Sequence, residues 1–187
     1  KVAVRMRHSG LKIDINALTD LEKFLGSHIK ESQRRFIKDG VLVLDKDKPK
    51  IDRQALGDFL FKKKRLPILK RTEKTKEPSI DAPTLERIAQ EEDSGWVKDF
   101  LEYKQRRKLK DTYCSQLRKW KGKAHPGVYI TRMVGDDEKY GSNTGRVTTQ
   151  GFSNIPRGPK IKRLLRTRYK RGLITDIDYS QMEMRVL

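Results

Sequence analysis

The sequence lacks the residues that support several classes of function. It has one cysteine, Cys114, which excludes an intramolecular disulfide and a zinc site built from several cysteines. Its three histidines, His8, His28 and His125, are scattered and show no metal-ligand spacing. No apolar run approaches the ~20 residues needed to span a bilayer, and no signal-peptide pattern is present. We therefore expect no membrane partner.

Acidic residues are scarce relative to basic ones. Asp and Glu number 25 against 44 Lys and Arg, which gives a formal net charge of +19 at pH 7. The excess lies in the runs 62–65, 106–108, 118–123 and 160–171. One such run is equally consistent with a solvated helix face, but their repetition favours a polyanionic partner bound in a salt-dependent manner.

The hydrophobic pattern divides the chain near residue 124. Apolar residues at helical spacing predict four helices before it, over residues 14–38 with Asp14 as the cap, 53–64, 82–91 and 95–120. Runs rich in β-branched residues after it predict strands over 128–134, 145–149 and 173–179. The sequence thus predicts an α+β fold, with a helical part (1–123) and a mixed part (124–187).

In the last fourteen residues, several acidic and polar side chains follow a short apolar run. Asp176 and Asp178 are followed at once by Ser180, Gln181 and Glu183. A carboxylate at a strand end can hold a hard divalent cation, although such a residue more often forms a turn or a helix cap.

The segment Asp178–Arg185, Asp-Tyr-Ser-Gln-Met-Glu-Met-Arg, resembles motif A of the family A DNA polymerases. Three further segments resemble motifs of the same family, in the same order: Glu102-Tyr103 with 108–113, Thr144–Arg146, and Asn154–Pro156. The resemblance covers nearly the whole chain. It implies a helical thumb (1–123) followed by the beginning of an antiparallel-sheet palm (124–187).

The resemblance also implies the catalytic roles. Asp178 would bind two catalytic Mg²⁺ ions, with help from the Tyr179 backbone carbonyl, for two-metal phosphoryl transfer. Ser180 and Gln181 would lie near the nascent base pair. Glu183 would lie against the sugar of the incoming deoxynucleoside triphosphate and exclude a 2′ hydroxyl.

Other residues would contact primer-template DNA. Arg146 would reach the minor groove at the primer terminus, and Asn154 lies in a neighbouring motif of the same family. The 104–110 helix would hold duplex phosphates, which position the DNA without reading its sequence. Its DNA-binding candidates are Arg107, Lys108 and Lys110. Thr112, two residues after this segment, is a fourth candidate.

The chain departs from the family pattern at several places. Asp111 stands where Ser is usual. The segment between Arg146 and Asn154 is shorter than in bacterial members, and this short segment together with the net charge of +19 favours a phage-type polymerase. Asp176 adds a second acid beside Asp178, and we expect it to support the site without binding metal. The family's fingers helix and second metal-binding Asp are absent from this sequence, so we expect activity only with a C-terminal polymerase fragment, as a separate chain or missing sequence.

Two other interpretations remain open. The chain could be a non-catalytic duplex-DNA-binding module derived from a polymerase, or an unrelated basic RNA-associated protein. The polymerase interpretation places the chain in the cytoplasm, that of the bacterial host if a phage encodes it. Because the chain begins with Lys1 and not Met, we expect a fragment or a processed chain.

Overall fold

A computed structural model describes residues 10–46, 48–73, 75–125, 128–129, 148–149, 159–167 and 169–174. The chain divides into two compact units. Residues 20–113 form one, which we call the central unit, and residues 1–19 with 114–187 form the other, which we call the terminal unit. No helix in the described ranges has the length and apolar character to cross a bilayer.

Helices and small antiparallel sheets alternate along the chain. The helices are α1 (Ile15–Lys38), α2 (Arg53–Gly57), α3 (Ala82–Glu91), α4 (Gly95–Lys108), α5 (Ser115–Lys119) and α6 (Pro159–Lys162). Two π-helical segments, Asp58–Lys63 and Leu109–Cys114, continue α2 and α4. The strands are β1 (Leu11–Ile13), β2 (Leu42–Asp45), β3 (Lys48–Ile51), β4 (Lys123–Ala124), β5 (Val128–Tyr129), β6 (Thr148–Thr149) and β7 (Leu165–Arg166). The predicted α+β class is confirmed.

Side-chain caps explain where three helices begin. The Asp14 carboxylate accepts from Ala17 N at 3.0 Å and begins α1, as the sequence predicts. Asp52 caps α2, and Asp81 caps α3 through a 2.9 Å hydrogen bond from Thr84 N. The hydrogen bonds from Thr84 lower the pKa of Asp81 to about 2.

The central unit is built around an aromatic cluster. Phe36 of α1 contacts Trp96, Phe100 and Tyr103 of α4, with ring centroids 5.1 to 5.4 Å apart. Phe59 lies 4.6 Å from Trp96, and the indole Nε1 donates to Asp39 at 2.7 Å. Trp96 thus belongs to the core, as the sequence indicates. The sequence did not place Phe100 and Tyr103 on the buried face, although both are fully buried.

The terminal unit contains a three-stranded antiparallel sheet in the order β4-β1-β7. Its buried residues include Ile13, Leu18, Leu117, Ala124 and Ile161. The short helix α6 precedes β7, whose first residue is Leu165. Pairs from two predicted strands, β5 and β6, form a two-stranded ladder. Of the predicted strand over 173–179, Leu173 and Ile174 are described and neither is in a strand, while 175–179 lie outside the described residues.

Candidate nucleic-acid interface

The structure describes part of the predicted DNA-binding surface and none of the predicted catalytic or nucleotide-binding residues. Seven predicted site residues lie outside the described residues; they are Asp178, Tyr179, Ser180, Gln181, Glu183, Arg146 and Asn154. Among the residues that the structure does describe, no three His, Cys, Asp or Glu side chains lie close enough to hold a metal ion. The described candidates are Arg107, Lys108, Lys110 and Thr112, all in the central unit.

The helix that carries these candidates changes its winding just after Lys108. In a continuous α-helix, Leu109 and Tyr113 would share one face because they are four residues apart. In the π-helical segment, residues five apart align, and the buried pair is Leu109 and Cys114. Tyr113 is therefore only half-buried, although the apolar spacing of the sequence suggests a place on the buried face beside Leu109, and Thr112 is exposed.

Arg107 is held by its own unit. Its Nη1 donates to the Pro49 carbonyl at 3.3 Å and to the Tyr103 hydroxyl at 3.4 Å. Its Nε lies 3.6 Å from Oδ2 of Asp111, one helical turn further on. These contacts are long, and both charged side chains are at least one-third exposed, so each contact is weak. The Asp111 carboxylate is therefore a weak competitor for any anion that approaches Arg107.

Lys110 is half-buried, and its ammonium lies against α1. A Cβ atom at Gly26 would lie 3.2 Å from the Lys110 Nζ, closer than ordinary van der Waals contact. Glycine at position 26 thus lets the ammonium approach the helix backbone. The position of the Lys110 side chain therefore depends on its packing against α1, which the sequence does not indicate.

Lys108 is the exposed cation of the run 106–108. Arg106 pairs with Glu102 on the preceding turn and its side chain is only 19% exposed. Within the described part of the chain, no acid pairs with Lys108. Lys108 lies at the edge of a groove of about 870 Å³ whose walls are α3 and α4, with Leu101 and Ala89 among its apolar lining residues.

Sequence reasoning missed how Asp111 and Gly26 position the predicted DNA-binding side chains. The spacing of Arg107 and Asp111, four residues apart on a helix, is the signal that could have indicated their pairing. No local signal relates Gly26 to Lys110, because the contact depends on how two helices pack.

A family model for DNA polymerase family A matches residues 15–187. The chain belongs to DNA polymerase family A. Over 188 residues, 97% of the chain, it is 32% identical to DNA polymerase I of Bacillus subtilis (strain 168). It is 35% identical to DNA polymerase I of Streptococcus pneumoniae (strain ATCC BAA-334 / TIGR4) over 144 residues, 72% of the chain and 15% of that polymerase. The resemblance inferred from the motifs is confirmed.

The fold of this family A chain is similar to a solved polymerase domain. The POL domain of Pol1 from M. smegmatis, in complex with DNA primer-template and dNTP, matches 87% of the chain with a TM-score of 0.64. The match is 20% identical in sequence and covers 27% of that domain's chain, so it supports the fold alone. The chain spans 20% of the length of the Bacillus subtilis relative.

Proposed function

We propose that the chain forms the thumb and the N-terminal part of the palm of a DNA-directed DNA polymerase. The observation that carries this proposal is the family match over 15–187, which includes the motif from Asp178 to Arg185. In this role the chain takes part in adding deoxynucleotides to a primer 3′ end. The short segment between Arg146 and Asn154 and the charge of +19 favour a phage-type member.

The oxygen donors of motif A suit Mg²⁺. The Asp178 carboxylate and the Tyr179 carbonyl are hard ligands of the kind that this ion prefers. When bound, two such ions activate the primer 3′ hydroxyl and stabilise the leaving pyrophosphate. Glu183 excludes a 2′ hydroxyl on the incoming sugar, and Ser180 and Gln181 lie near the nascent base pair. Asp176, two residues before Asp178 in the sequence, supports the site without binding metal.

The remaining proposed residues hold DNA. Arg146 reaches the minor groove at the primer terminus, and Asn154 contacts DNA. Lys108 and Thr112 are exposed, which suits them to contact duplex phosphates directly. Arg107 joins them when a phosphate displaces Asp111. Fingers and the second metal-binding Asp come from a further polymerase segment, and the expected compartment is the cytoplasm that holds the DNA.

A chimeric polymerase tests this function. The chain replaces the segment of Bacillus subtilis DNA polymerase I that it matches, and primer extension is measured with Mg²⁺ and with EDTA. The parent polymerase, purified alongside, is the control for the assay. We expect Mg²⁺-dependent extension. A folded chimera that binds primer-template DNA with salt-dependent affinity but never extends the primer would favour the alternative, a non-catalytic duplex-binding module.

A further inference from the structure

The terminal unit carries three cations in one line across its sheet. The strand register places Lys12 of β1 opposite Lys123 of β4 on one side and opposite Arg166 of β7 on the other. Residues directly opposite each other on neighbouring strands lie on the same face of a sheet, so the three side chains share one face. That face is exposed, whereas Ile13 and Ala124 on the opposite face are buried. We call Lys123, Lys12 and Arg166 the cationic row.

Asp14 offsets only one of the three charges of the cationic row, that of Arg166. Asp14 Oδ2 lies 3.7 Å from Arg166 Nε, and its other oxygen caps α1. In the ranges that the structure describes, no acid forms an ion pair with Lys12 or Lys123. Like charges directly opposite each other destabilise a sheet, so the row costs the fold stability. An anionic ligand that spans about 10 Å, the width of three strands, would remove this cost.

An exposed aromatic ring lies beside the row. Tyr169 is 62% exposed, in the turn that follows β7. Thr167 Oγ1 accepts from Tyr169 N at 3.1 Å, and Gly172 N donates to the Tyr169 carbonyl at 3.2 Å. A Cβ at position 172 would lie 2.7 Å from Thr167 Oγ1, so the turn requires glycine there. The backbone that presents Tyr169 is therefore closely constrained.

Two members of the row line one pocket together with the Tyr169 ring. Lys12, Arg166, Tyr169 and Lys170 line an open pocket of about 680 Å³, in which Asp14 is the acidic residue. Lys170 is exposed and adds a further positive charge. The pocket thus combines cations at strand spacing with an accessible aromatic face.

We propose that this surface binds a single strand of nucleic acid, with phosphates along the cationic row and a base stacked on Tyr169. Non-specific single-strand sites combine a basic track with aromatic stacking platforms. A duplex offers phosphates but keeps its bases stacked inside, which would leave Tyr169 unused. The proposal goes beyond the polymerase function and requires none of the motif A residues.

Binding of a labelled oligothymidylate of about ten nucleotides to the 187-residue chain, followed by fluorescence anisotropy, tests the proposal. Each phosphate contact to a single strand contributes about 0.7 to the slope of log K against log salt. The Lys12→Gln/Lys123→Gln variant should lower that slope by about 1.4. The matched control, Lys30→Gln/Lys48→Gln, removes two exposed lysines of the central unit and should leave the slope unchanged.

Tyr169 supplies the second arm of the test. Tyr169→Leu should raise the dissociation constant about tenfold, whereas Tyr169→Phe, which keeps the ring, should bind as the parent does. All these side chains are exposed, and far-UV circular dichroism checks that each variant folds. Equal slopes for the two double variants, or equal affinities for Leu and Phe at position 169, would overturn the proposal. So would weakened duplex binding by the row variant with single-strand binding intact, and none of these outcomes depends on polymerase activity.

Discussion

Asp111 offers a direct test of the proposal that the α4 region binds duplex DNA. Its carboxylate lies 3.6 Å from Arg107 Nε, and it is 60% exposed. We expect Asp111→Asn to strengthen duplex binding, because the substitution releases Arg107 and removes a negative charge from the proposed phosphate-binding surface.

The expected gain is modest and can be worked out. An exposed ion pair between residues four apart on a helix contributes about 0.4 kcal/mol. In Asp111→Asn this pair is absent, so a phosphate that binds Arg107 does not have to break it. Removing repulsion between a carboxylate and a phosphate about 10 Å apart in water adds about 0.4 kcal/mol. The sum, about 0.8 kcal/mol, corresponds to about a fourfold lower dissociation constant.

The assay is anisotropy of a labelled primer-template duplex at several salt concentrations. If Arg107 gains one phosphate contact, the slope of log K against log salt should steepen by about 0.9. Glu91→Gln is the matched control. Glu91 forms an ion pair with Arg87, also four residues away on a helix, at 3.0 Å on the exposed face of α3. If Asp111→Asn binds no more tightly than Glu91→Gln and the slope is unchanged, Arg107 does not contact duplex DNA.

Three further predictions concern helix α1, the α3 cap and the proposed sugar gate. Gly26→Ala should stabilise the chain by about 0.5–1 kcal/mol in urea unfolding, since the Lys110 ammonium that a new Cβ would meet is the end of a flexible side chain; a loss of stability would show that Lys110 cannot move. Asp81→Ala should cost about 1 kcal/mol at neutral pH. Because the pKa of Asp81 is lowered from 3.8 to about 2 by folding, its contribution is complete above about pH 4 and is lost as the pH falls towards 2. Asp81→Asn, which keeps a capping oxygen, should retain most of the neutral-pH stability without this pH dependence, and urea titrations from pH 2 to 7 decide it. In the chimera, Glu183→Ala should raise ribonucleotide incorporation relative to deoxynucleotide incorporation; an unchanged ratio would remove Glu183 from the gate role.

The helices could be predicted because their signals are local. Asp14 precedes an apolar period that ends near Gly40, and α1 follows that pattern from Ile15 to Lys38. Helix α3 likewise begins and ends where its spacing predicts, at Ala82 and Glu91. The π-helical winding after Lys108 could not be predicted, because no residue type or pattern in the sequence marks the change from i→i+4 to i→i+5 hydrogen bonds.

The small strands and the side-chain contacts depend on distant partners. Strand β1 has three residues, and it pairs with β4 and β7, which lie far along the chain. The members of the cationic row come from three separate segments of the chain. The runs of basic residues in the sequence therefore did not indicate it. For the same reason the sequence predicted equal roles for Lys110 and Lys108, whereas the packing of Lys110 against α1 distinguishes them.

The central claim is that this family A chain supplies a catalytic carboxylate at Asp178. The most direct measurement is the single-turnover rate of nucleotide addition by the chimeric polymerase carrying Asp178→Asn or Asp176→Asn. Both variants replace one carboxylate by its amide within the same segment, so they match in size and charge. We predict that Asp178→Asn abolishes nucleotide addition while primer-template binding persists, and that Asp176→Asn keeps most of the rate. Equal rates in the two variants, or full activity with Asp178→Asn, would contradict the claim.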